Sequence, residues 1–457
     1  MQTSFFLQII ENGNGWALCY HALLGNMFLL EPEYLKQLKR LKAENINSKV
    51  CSKDLILQEL RDANFLEEYE LEAYDILARK NREWLRLFSS GGRLKLLNLV
   101  ISEACNLGCQ HCLHRCSVKN YETHGSKKFM DWPTAKLAID NYTKVIRRFD
   151  SSAKLSVHFG SAEPLLNWEV MRRSCEYVRQ IDSIADLAVN TNLILVTDEM
   201  AKFFVDFGVK VSISLDGPID GNDAIRIYPS GKGTYRDILV AIATMRRAGY
   251  DIDAFSVTIN DLNFDSIDEN FVDWAAKEGF RGIATDIDLI NARNAKRSIK
   301  KCIQKLIDIR TACLKHGLEN FGSWTTVYDY LVNEPDCGVT TFCRAASGQN
   351  ISVNPEGKLF ICGHTNSLLG LLDDFENVFI IGSPYFKLVE SRLPGNNPMC
   401  YGCSIEGFCA GQCHITKEMA VATGNGHFDY LCEFYRQATR RMLEIKLEAE
   451  LRDIAVQ

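Results

Sequence analysis

The sequence lacks the features that mark several large classes of protein. No stretch approaches the roughly 20 consecutive apolar residues that a membrane-spanning helix needs. The formal net charge is −6, which gives no reason to expect nucleic acid as a partner. Residues 1–11 contain neither the basic region nor the small-residue cleavage site of a secretion signal. These absences predict a cytoplasmic protein that binds neither membranes nor nucleic acid.

Cysteine, by contrast, is abundant, with 17 cysteines among 457 residues. A disulfide framework is typical of short secreted chains, whereas this chain is long and carries no export signal. Cysteines in a reducing compartment are more often metal ligands or small buried hydrophobic residues. Most of them lie between Cys105 and Cys116 or between Cys337 and Cys432, so metal chemistry is expected in these two segments.

Residues 1–90 are predicted to form a small α+β domain. Two strand-like runs, 5–10 and 16–20, are joined by the turn sequence 12–15, and a third run follows at 26–30. Helical periodicity then predicts helices over 33–42, 53–63 and 70–87.

Strands and helices alternate in residues 91–320. The strand-like runs are 94–101, 154–159, 187–190, 210–215, 255–259 and 283–289, and the helical stretches include 134–148, 199–207, 235–248 and 268–277. This order predicts an α/β fold in which parallel β-α units form a partial (β/α)6 barrel, with the active site at the carboxyl ends of its strands.

Residues 321–457 are rich in cysteine and glycine and contain few long periodic elements. Such a segment needs metal to hold it together. A charged helix over residues 435–453 closes the chain.

Three cysteines follow the first predicted barrel strand with the spacing C-x3-C-x2-C: Cys105, Cys109 and Cys112. Three thiolates can hold three irons of a [4Fe–4S] cluster and leave the fourth iron open, as a catalytic site requires. A zinc knuckle or buried thiols are the alternatives, and the preceding strand disfavours both. The pattern resembles the radical S-adenosylmethionine (SAM) superfamily.

The resemblance continues in segments that follow the later strands. Residues 160–164 are similar to the Gly-Gly-Glu-Pro motif of the family, with Ser161 and Ala162 in place of the glycines, and imply that Glu163 accepts hydrogen bonds from the SAM ammonium. A carboxylate at a helix N-terminus is the alternative for Glu163. Where the family has Thr-Asn-Gly after the third strand, this chain has Leu193 in place of the glycine.

Residues 214–217 resemble the Ser-Leu-Asp-Gly motif of the peptide-modifying branch. The resemblance implies that Ser214 and Asp216 face the barrel interior, where they suit the ribose hydroxyls and the carboxylate of SAM. Arg226 is then expected to pair with the SAM carboxylate, a surface salt bridge being its alternative.

The cysteine spacing of the C-terminal region resembles a SPASM domain, an extension that carries two auxiliary [4Fe–4S] clusters. Cys343 and Cys362 flank Gly357, and a C-x2-C-x5-C-x3-C run precedes the last cysteine. By resemblance to sulfatase-maturing members, the first cluster takes Cys337, Cys343, Cys362 and Cys413, and the second takes Cys400, Cys403, Cys409 and Cys432. Three [4Fe–4S] clusters are therefore expected, with zinc as the alternative in this region.

The family resemblance implies a radical SAM oxidoreductase that acts on a peptide or protein. A reduced cluster cleaves SAM, and the 5′-deoxyadenosyl radical takes a hydrogen atom from the substrate. The favoured interpretation is a maturase that installs an intramolecular crosslink, of C–C or thioether type, in a ribosomally made precursor peptide. Its expected partners are that peptide and an electron donor such as flavodoxin or ferredoxin. Residues 1–90 are interpreted as an element that binds a leader peptide as an added strand, or as a structural cap.

Two alternative functions come from different classes. An anaerobic sulfatase-maturing enzyme carries an aspartate after the cysteine equivalent to Cys362, and Gly363 departs from that pattern. An electron-transfer iron–sulfur protein is disfavoured by the three-cysteine loop and Glu163. The acid–base residue is not identified, although the substrate region includes four candidates without a motif: His158, Asp286, Tyr328 and His364.

Overall fold

The computed structural model of the chain describes residues 2–44, 55–69, 71–112, 126–288, 297–333, 339–423 and 427–456. Cys337, a predicted ligand of the first auxiliary cluster, lies outside these residues. Within the described ranges, each helix is too short or too polar to cross a lipid bilayer.

The N-terminal region is an α+β unit whose three predicted strands form one antiparallel sheet. Its elements are β1 (Gln2–Thr3), β2 (Leu7–Glu11), β3 (Ala17–His21), β4 (Gly25–Leu30), α1 (Pro32–Glu44), α2 (Leu55–Asp62), β5 (Leu66–Glu67) and α3 (Glu72–Phe88). Strands pair in the order β2-β3-β4, and β1 pairs with β5. The predicted turn is present, with positive φ at Gly13 and Gly15 and the Asn14 amide donating to Asn12 Oδ1 at 3.0 Å.

A parallel sheet forms the centre of the molecule and confirms the six predicted barrel strands. They are β6 (Leu96–Leu99), β7 (Ser156–Phe159), β8 (Asp186–Thr191), β9 (Val209–Ser214), β10 (Ala254–Ile259) and β11 (Gly282–Ile287), and β12 (Glu319–Phe321) adds a further parallel strand. Each strand lies beside its neighbour in sequence, which is the order that successive right-handed β-α units produce. The carboxyl ends therefore meet at one edge.

Helices connect these strands and pack on the sheet. They are α4 (Trp132–Arg147), α5 (Trp168–Ile181), α6 (Asp198–Asp206), α7 (Ile219–Asp223), α8 (Tyr235–Arg247), α9 (Glu269–Lys277), α10 (Ile299–Lys315) and α11 (Thr326–Val332), with 3-10 turns at Pro164–Asn167 and Ser323–Thr325. Side-chain caps fix where several begin, because an oxygen satisfies a free amide of the first turn. Asp131 Oδ1 accepts from the Thr134 amide at 2.9 Å, and Asp268 Oδ1 from the Phe271 amide at 3.1 Å.

The C-terminal region extends the central sheet, which its sequence did not predict. Its elements are β13 (Asn350–Val353), β14 (Lys358–Phe360), β15 (Leu368–Leu371), α12 (Pro384–Arg392), α13 (Glu406–Cys409), α14 (His414–Thr423) and α15 (His427–Val456), with 3-10 segments at Leu372–Phe379 and Pro398–Cys400. β13 runs parallel to β6, and β14 and β15 add antiparallel strands, giving the order β12-β11-β10-β9-β8-β7-β6-β13-β14-β15. These strands are too short to show a periodic pattern.

The N-terminal region shares the main hydrophobic core. Trp84 and Phe88 of α3 are buried in the same cluster as the barrel strands. The Trp84 indole donates to the Ser347 carbonyl at 2.9 Å, and the Asn81 amide donates to the Pro394 carbonyl at 2.8 Å. Removing residues 1–90 would therefore open the main core. The domain boundaries at 90/91 and 320/321 stay predictions.

Candidate active site

One face of the parallel sheet carries polar side chains, while the alternate positions are buried. Asn190 on β8 lies opposite Ser212 on β9, and Ser214 lies opposite Ser256 on β10. The Asn190, Ser212 and Ser256 side chains are exposed, and His158 on β7 is half-buried with Asn190 as a hydrogen-bond partner. A polar, accessible face on a parallel sheet is where this fold binds ligands. Ser214 also lies on this face.

The three-cysteine loop begins beyond the carboxyl end of β6. The Leu107 amide donates to Cys105 Sγ at 3.4 Å, and the Asn192 side chain contacts the same sulfur at 3.9 Å. Cys109 is buried and Cys112 is half-buried. Burial raises the pKa of the Cys109 thiol, and the nearby Arg226 guanidinium opposes that shift. Amide donors and a nearby cation are the surroundings that thiolate ligands require.

Backbone hydrogen bonds hold this loop against the segment after α7. The Gly108 amide donates to the Ile227 carbonyl at 2.7 Å, and the Gln110 amide donates to the Ile225 carbonyl at 3.1 Å. On its other side, the Asn192 side-chain amide donates to Asn106 Oδ1 at 2.8 Å. The loop is therefore fixed from two strands of the barrel. Asn192, to which the sequence assigned no role, is one of the residues that fix it.

Glu163 is fully buried and receives three hydrogen bonds from the chain itself. Its Oε1 accepts from the Leu165 amide at 3.0 Å and from Thr191 Oγ1 at 2.7 Å, and its Oε2 accepts from the Asn192 amide at 2.9 Å. Burial raises the pKa of Glu163, and these donors lower it. The carboxylate thus links the start of the Pro164–Asn167 turn to the residues that contact Cys105.

Two residues that stand where the family has glycine keep a glycine-like backbone. Ser161 has φ +122° and Leu193 has φ +66°. Positive φ is unfavourable for residues with a β-carbon. The Ser161 hydroxyl donates to the Gly363 carbonyl at 3.2 Å, and Leu193 is fully buried. Each side chain therefore makes a contact that glycine would lack, while the backbone conformation of the motif is retained.

Replacing Ser161 by Gly and by Ala separates the backbone strain from the hydroxyl contact. Both variants lose the hydrogen bond to Gly363, but Ser161→Ala keeps a β-carbon at positive φ. We expect Ser161→Gly to be more stable than Ser161→Ala by about 1 kcal/mol. Chemical denaturation of the two variants under identical anaerobic conditions measures the difference. Equal stability would mean that Ser161 is not strained.

Asp216 and Arg226 form a buried ion pair beside the cysteine loop. Arg226 Nε lies 2.7 Å from Asp216 Oδ2, and the Thr258 amide donates to Asp216 Oδ1 at 2.8 Å. His111, between Cys109 and Cys112 in sequence, lies 3.9 Å from Asp216 Oδ2 and 3.5 Å from Arg226 Nη2. Burial lowers the pKa of His111. Asp216 follows β9 and is fully buried. The ion pair therefore lies against the cysteine loop at His111.

A second carboxylate, that of Asp223, binds the end of the segment that follows Arg226. Asp223 Oδ1 accepts from the Thr234 and Tyr235 amides at 2.8 Å each, at the start of α8. A β-carbon on Gly233 would lie 2.1 Å from this carboxylate, so the second glycine of residues 231–235 is required sterically.

The described C-terminal cysteines lie in two groups, Cys343 with Cys362 and Cys413, and Cys400 with Cys403, Cys409 and Cys432. Burial, together with the neighbouring thiols of Cys413 and Cys343, raises the pKa of Cys362 to about 12. Burial likewise raises the pKa of Cys409 to about 12, with contributions from the other three cysteines of the second set: Cys400, Cys403 and Cys432. Clustered thiols that resist ionisation require a positive charge among them, which an iron–sulfur cluster provides.

The chemistry of these donor sets suits iron–sulfur clusters. A [4Fe–4S] cluster takes one thiolate at each iron, and cysteine thiols are what the described part of each set contributes.

The four acid–base candidates occupy different surroundings. Asp286, on β11, accepts from the Ser323 amide and hydroxyl at 2.7 Å each, and burial raises its pKa. Tyr328 and His364 are half-buried. Two of the four lie on the polar face described above: His158 on β7, and Asp286, which is opposite Thr258, two residues beyond Ser256 on β10.

The fold and the placement of the three-cysteine loop define the class of protein. Residues 99–275 match the model of the Radical SAM superfamily. Residues 99–275 are therefore a radical SAM domain, and enzymes of this family use SAM and a [4Fe–4S] cluster. This confirms the resemblance identified in the sequence.

Two relatives share much of the chain's length. The radical SAM cyclopropyl synthase TigE of Paramaledivibacter caminithermalis is 23% identical over 96% of this chain and 95% of its own. A cysteine-type anaerobic sulfatase-maturating enzyme of Clostridium novyi is 20% identical over 75% of this chain and 94% of its own.

Two solved structures have the same fold. Native anSMEcpe with bound AdoMet superposes with a TM-score of 0.62 at 15% identity, covering 78% of this chain and 98% of its own. Streptococcus suis SuiB bound to its precursor peptide SuiA gives a TM-score of 0.51 at 15% identity, covering 91% and 95%. The predicted α/β radical SAM fold is confirmed, with a cysteine-rich C-terminal region consistent with a SPASM domain.

Proposed function

We propose that this enzyme is a maturase that installs an intramolecular crosslink in a ribosomally made precursor peptide. Similarity to a cyclopropyl synthase over nearly the whole chain supports a ring-forming reaction. The likeness to a structure that holds a precursor peptide supports a peptide substrate. The packing of Gly363 is the observation that favours crosslink formation over formylglycine formation.

Gly363 occupies a position that excludes a side chain. A β-carbon here would lie 3.0 Å from Val100 Cγ2 and 3.2 Å from Asn98 Nδ2, both at the central sheet. Its carbonyl also accepts the hydrogen bond from Ser161. Sulfatase-maturing enzymes are expected to carry an aspartate after the cysteine equivalent to Cys362. That aspartate would require the Val100 and Asn98 side chains to shift, which favours a different reaction.

The chain's own residues would hold the cofactors as follows. Cys105, Cys109 and Cys112 would bind the cluster, and Ser214 and Asp216 would serve the ribose and the carboxylate of SAM. A carboxylate has about four acceptor sites, so Glu163, with three occupied, would retain one for the SAM ammonium. Arg226, held by Asp216, would supply positive charge for the SAM carboxylate. When bound, SAM and its cluster supply a radical that takes a hydrogen atom from carbon.

The two C-terminal cysteine sets would each hold one auxiliary [4Fe–4S] cluster. The first includes Cys337, which lies outside the described residues, and the second lies wholly within them. Three clusters in all require about 12 Fe per chain, four for each unit. Full ligation by thiolates leaves these clusters to carry electrons and to hold the region together.

Strand β4 offers an edge at which a leader peptide can add. In the described structure it pairs with β3 on one side. Phe28 of β4 is 48% exposed and lies edge-on to Phe65, with ring centroids 5.8 Å apart. Addition of a peptide strand to such an edge combines backbone hydrogen bonds with apolar contacts. Leader binding at β4 is therefore proposed.

Replacing Phe28 by Ala is expected to weaken leader binding about tenfold, because an apolar contact at the added strand is lost. The labelled precursor peptide encoded beside the gene, titrated in fluorescence anisotropy, measures this. Phe321→Ala is the matched control, since Phe321 is 46% exposed on β12 at the far edge of the central sheet. Equal binding by both variants would place the leader elsewhere.

The precursor peptide itself is expected to become two hydrogens lighter on incubation with enzyme, SAM and reductant. One hydrogen would leave as an atom, taken by the radical that SAM supplies, and the second as a proton. The remaining electron would pass to an auxiliary cluster, and the two carbons, or a carbon and a sulfur, would then share the new bond. Mass spectrometry with fragmentation locates it. An unchanged peptide, together with conversion of a sulfatase Cys or Ser to formylglycine, would establish the alternative function.

A further inference from the structure

Arg392, the last residue of α12, is a buried cation without a carboxylate partner. Its side chain is fully buried. Within the part of the chain that the structure describes, no Asp or Glu lies at ion-pair distance from it, and its Nε has no hydrogen-bond acceptor. An unpaired charge in a protein interior is strongly unfavourable. Some other negative charge must therefore offset it.

The loop that faces Arg392 is shaped around the guanidinium. Nη1 donates to the Gly411 carbonyl at 2.8 Å, and Nη2 donates to the Gln412 carbonyl. Ala410, Gly411 and Gln412 have φ of +46°, +84° and +66°, and for Ala and Gln this conformation is unfavourable. A β-carbon on Gly411 would lie 3.1 Å from Nη1. Three consecutive left-handed residues thus form a loop in which two carbonyls, those of Gly411 and Gln412, accept from one buried cation.

This loop joins the two predicted cluster sites. It runs from Cys409, in the second set, to Cys413, in the first. The thiols whose charge acts on Arg392 come from both sets: Cys409, Cys413, Cys343 and Cys400. The guanidinium therefore lies between two groups of cysteines, each of which becomes negative when it binds its cluster.

We propose that Arg392 is the shared counter-charge of the two auxiliary clusters and sets the reduction potentials of both. Four thiolates leave a [4Fe–4S] unit net negative, and an added electron makes it more so. A fixed cation in a medium of low polarity stabilises the reduced form and raises the potential. Because one guanidinium lies beside both sites, removing its charge should lower both potentials. The inference rests on the proposed function, since it requires both clusters.

The test compares Arg392→Gln with Arg392→Lys in a chain that also carries Cys105→Ala, Cys109→Ala and Cys112→Ala. This background leaves the auxiliary clusters, about 8 Fe per chain, as the paramagnetic centres. Iron content and EPR-monitored redox titration are measured after anaerobic reconstitution. Arg436→Met is the control, because Arg436 is half-buried and contacts Cys403 of the second set.

In Arg392→Gln, the equilibrium constant for reducing each cluster is expected to fall at least tenfold. Each reduction potential then falls by at least about 59 mV for one electron. Arg392→Lys should keep them near the parent values, and Arg436→Met should move one cluster alone. Unchanged potentials in an iron-replete Arg392→Gln would overturn the inference.

If Arg392→Gln loses iron and Arg392→Lys retains it, the positive charge is required for assembly and the inference holds. If both lose iron equally, the shape of the side chain matters rather than its charge, and the inference fails. A parent chain without about 8 Fe would refute the proposed clusters themselves, and the inference with them.

Discussion

Replacing Cys105, Cys109 and Cys112 together by Ala is expected to abolish formation of 5′-deoxyadenosine from SAM under reducing, oxygen-free conditions. These thiols lie on one loop at the carboxyl ends of the barrel strands, held by Asn192 and by the segment after α7. Without them the catalytic cluster has no ligands, and the rate should fall to that of the reaction without enzyme. Liquid chromatography of the quenched reaction measures the product.

The matched control removes three other thiols: Cys175, Cys302 and Cys313. These are buried in the main core and belong to none of the cluster sets. Their replacement by Ala should lower stability while SAM cleavage continues. Undiminished cleavage in the loop variant, with intact auxiliary iron, would show that the catalytic cluster lies elsewhere.

Replacing Arg226 by Met is expected to lower the free energy of unfolding by about 3–5 kcal/mol, because it leaves the buried Asp216 carboxylate without its cation. The pair is almost inaccessible, with side-chain exposures of 10% and 0%. Asp216 would keep the hydrogen bond from Thr258 but lose its charge partner. Denaturant unfolding of the anaerobically reconstituted protein gives the change in stability.

Arg281→Met provides the comparison for a surface ion pair. Arg281 lies 2.8 Å from Asp251 and 2.9 Å from Asp253, and its side chain is 64% exposed. Exposed pairs contribute about 0–1 kcal/mol, so this variant should unfold close to the parent. Similar losses in the two variants would mean that Asp216 is well solvated or neutral without Arg226.

The barrel strands were predictable because each is a local run of apolar residues between helical stretches. The pairing of β13 with β6 was not, since it joins segments about 250 residues apart and no local pattern encodes it. The same holds for Asn98 and Ser352, whose side chains meet at 3.1 Å. Sequence patterns describe what a segment forms, but partners distant in sequence appear only in the folded chain.

In the candidate site, too, local patterns predicted residue types, whereas contacts between distant residues were not predictable. Motif spacing predicted the cysteine sets and the acidic and basic residues expected around SAM, because chemistry constrains residue type and spacing. It did not identify the chain's own partners of those residues, namely Thr191 and Asn192 for Glu163 and Asp216 for Arg226. Nor did it identify Arg392, whose importance depends on burial and on a loop 20 residues further along the chain.

The parallel pairing of β6 with β13 has a consequence for how the protein is made. During translation β6 is synthesised long before β13. One edge of the first barrel strand therefore stays unpaired while more than half of the chain is synthesised. Exposed strand edges are sites of aggregation. The catalytic loop therefore emerges next to an unfinished sheet. We expect nascent chains truncated before residue 350 to need chaperone protection, and iron insertion to follow release of the chain.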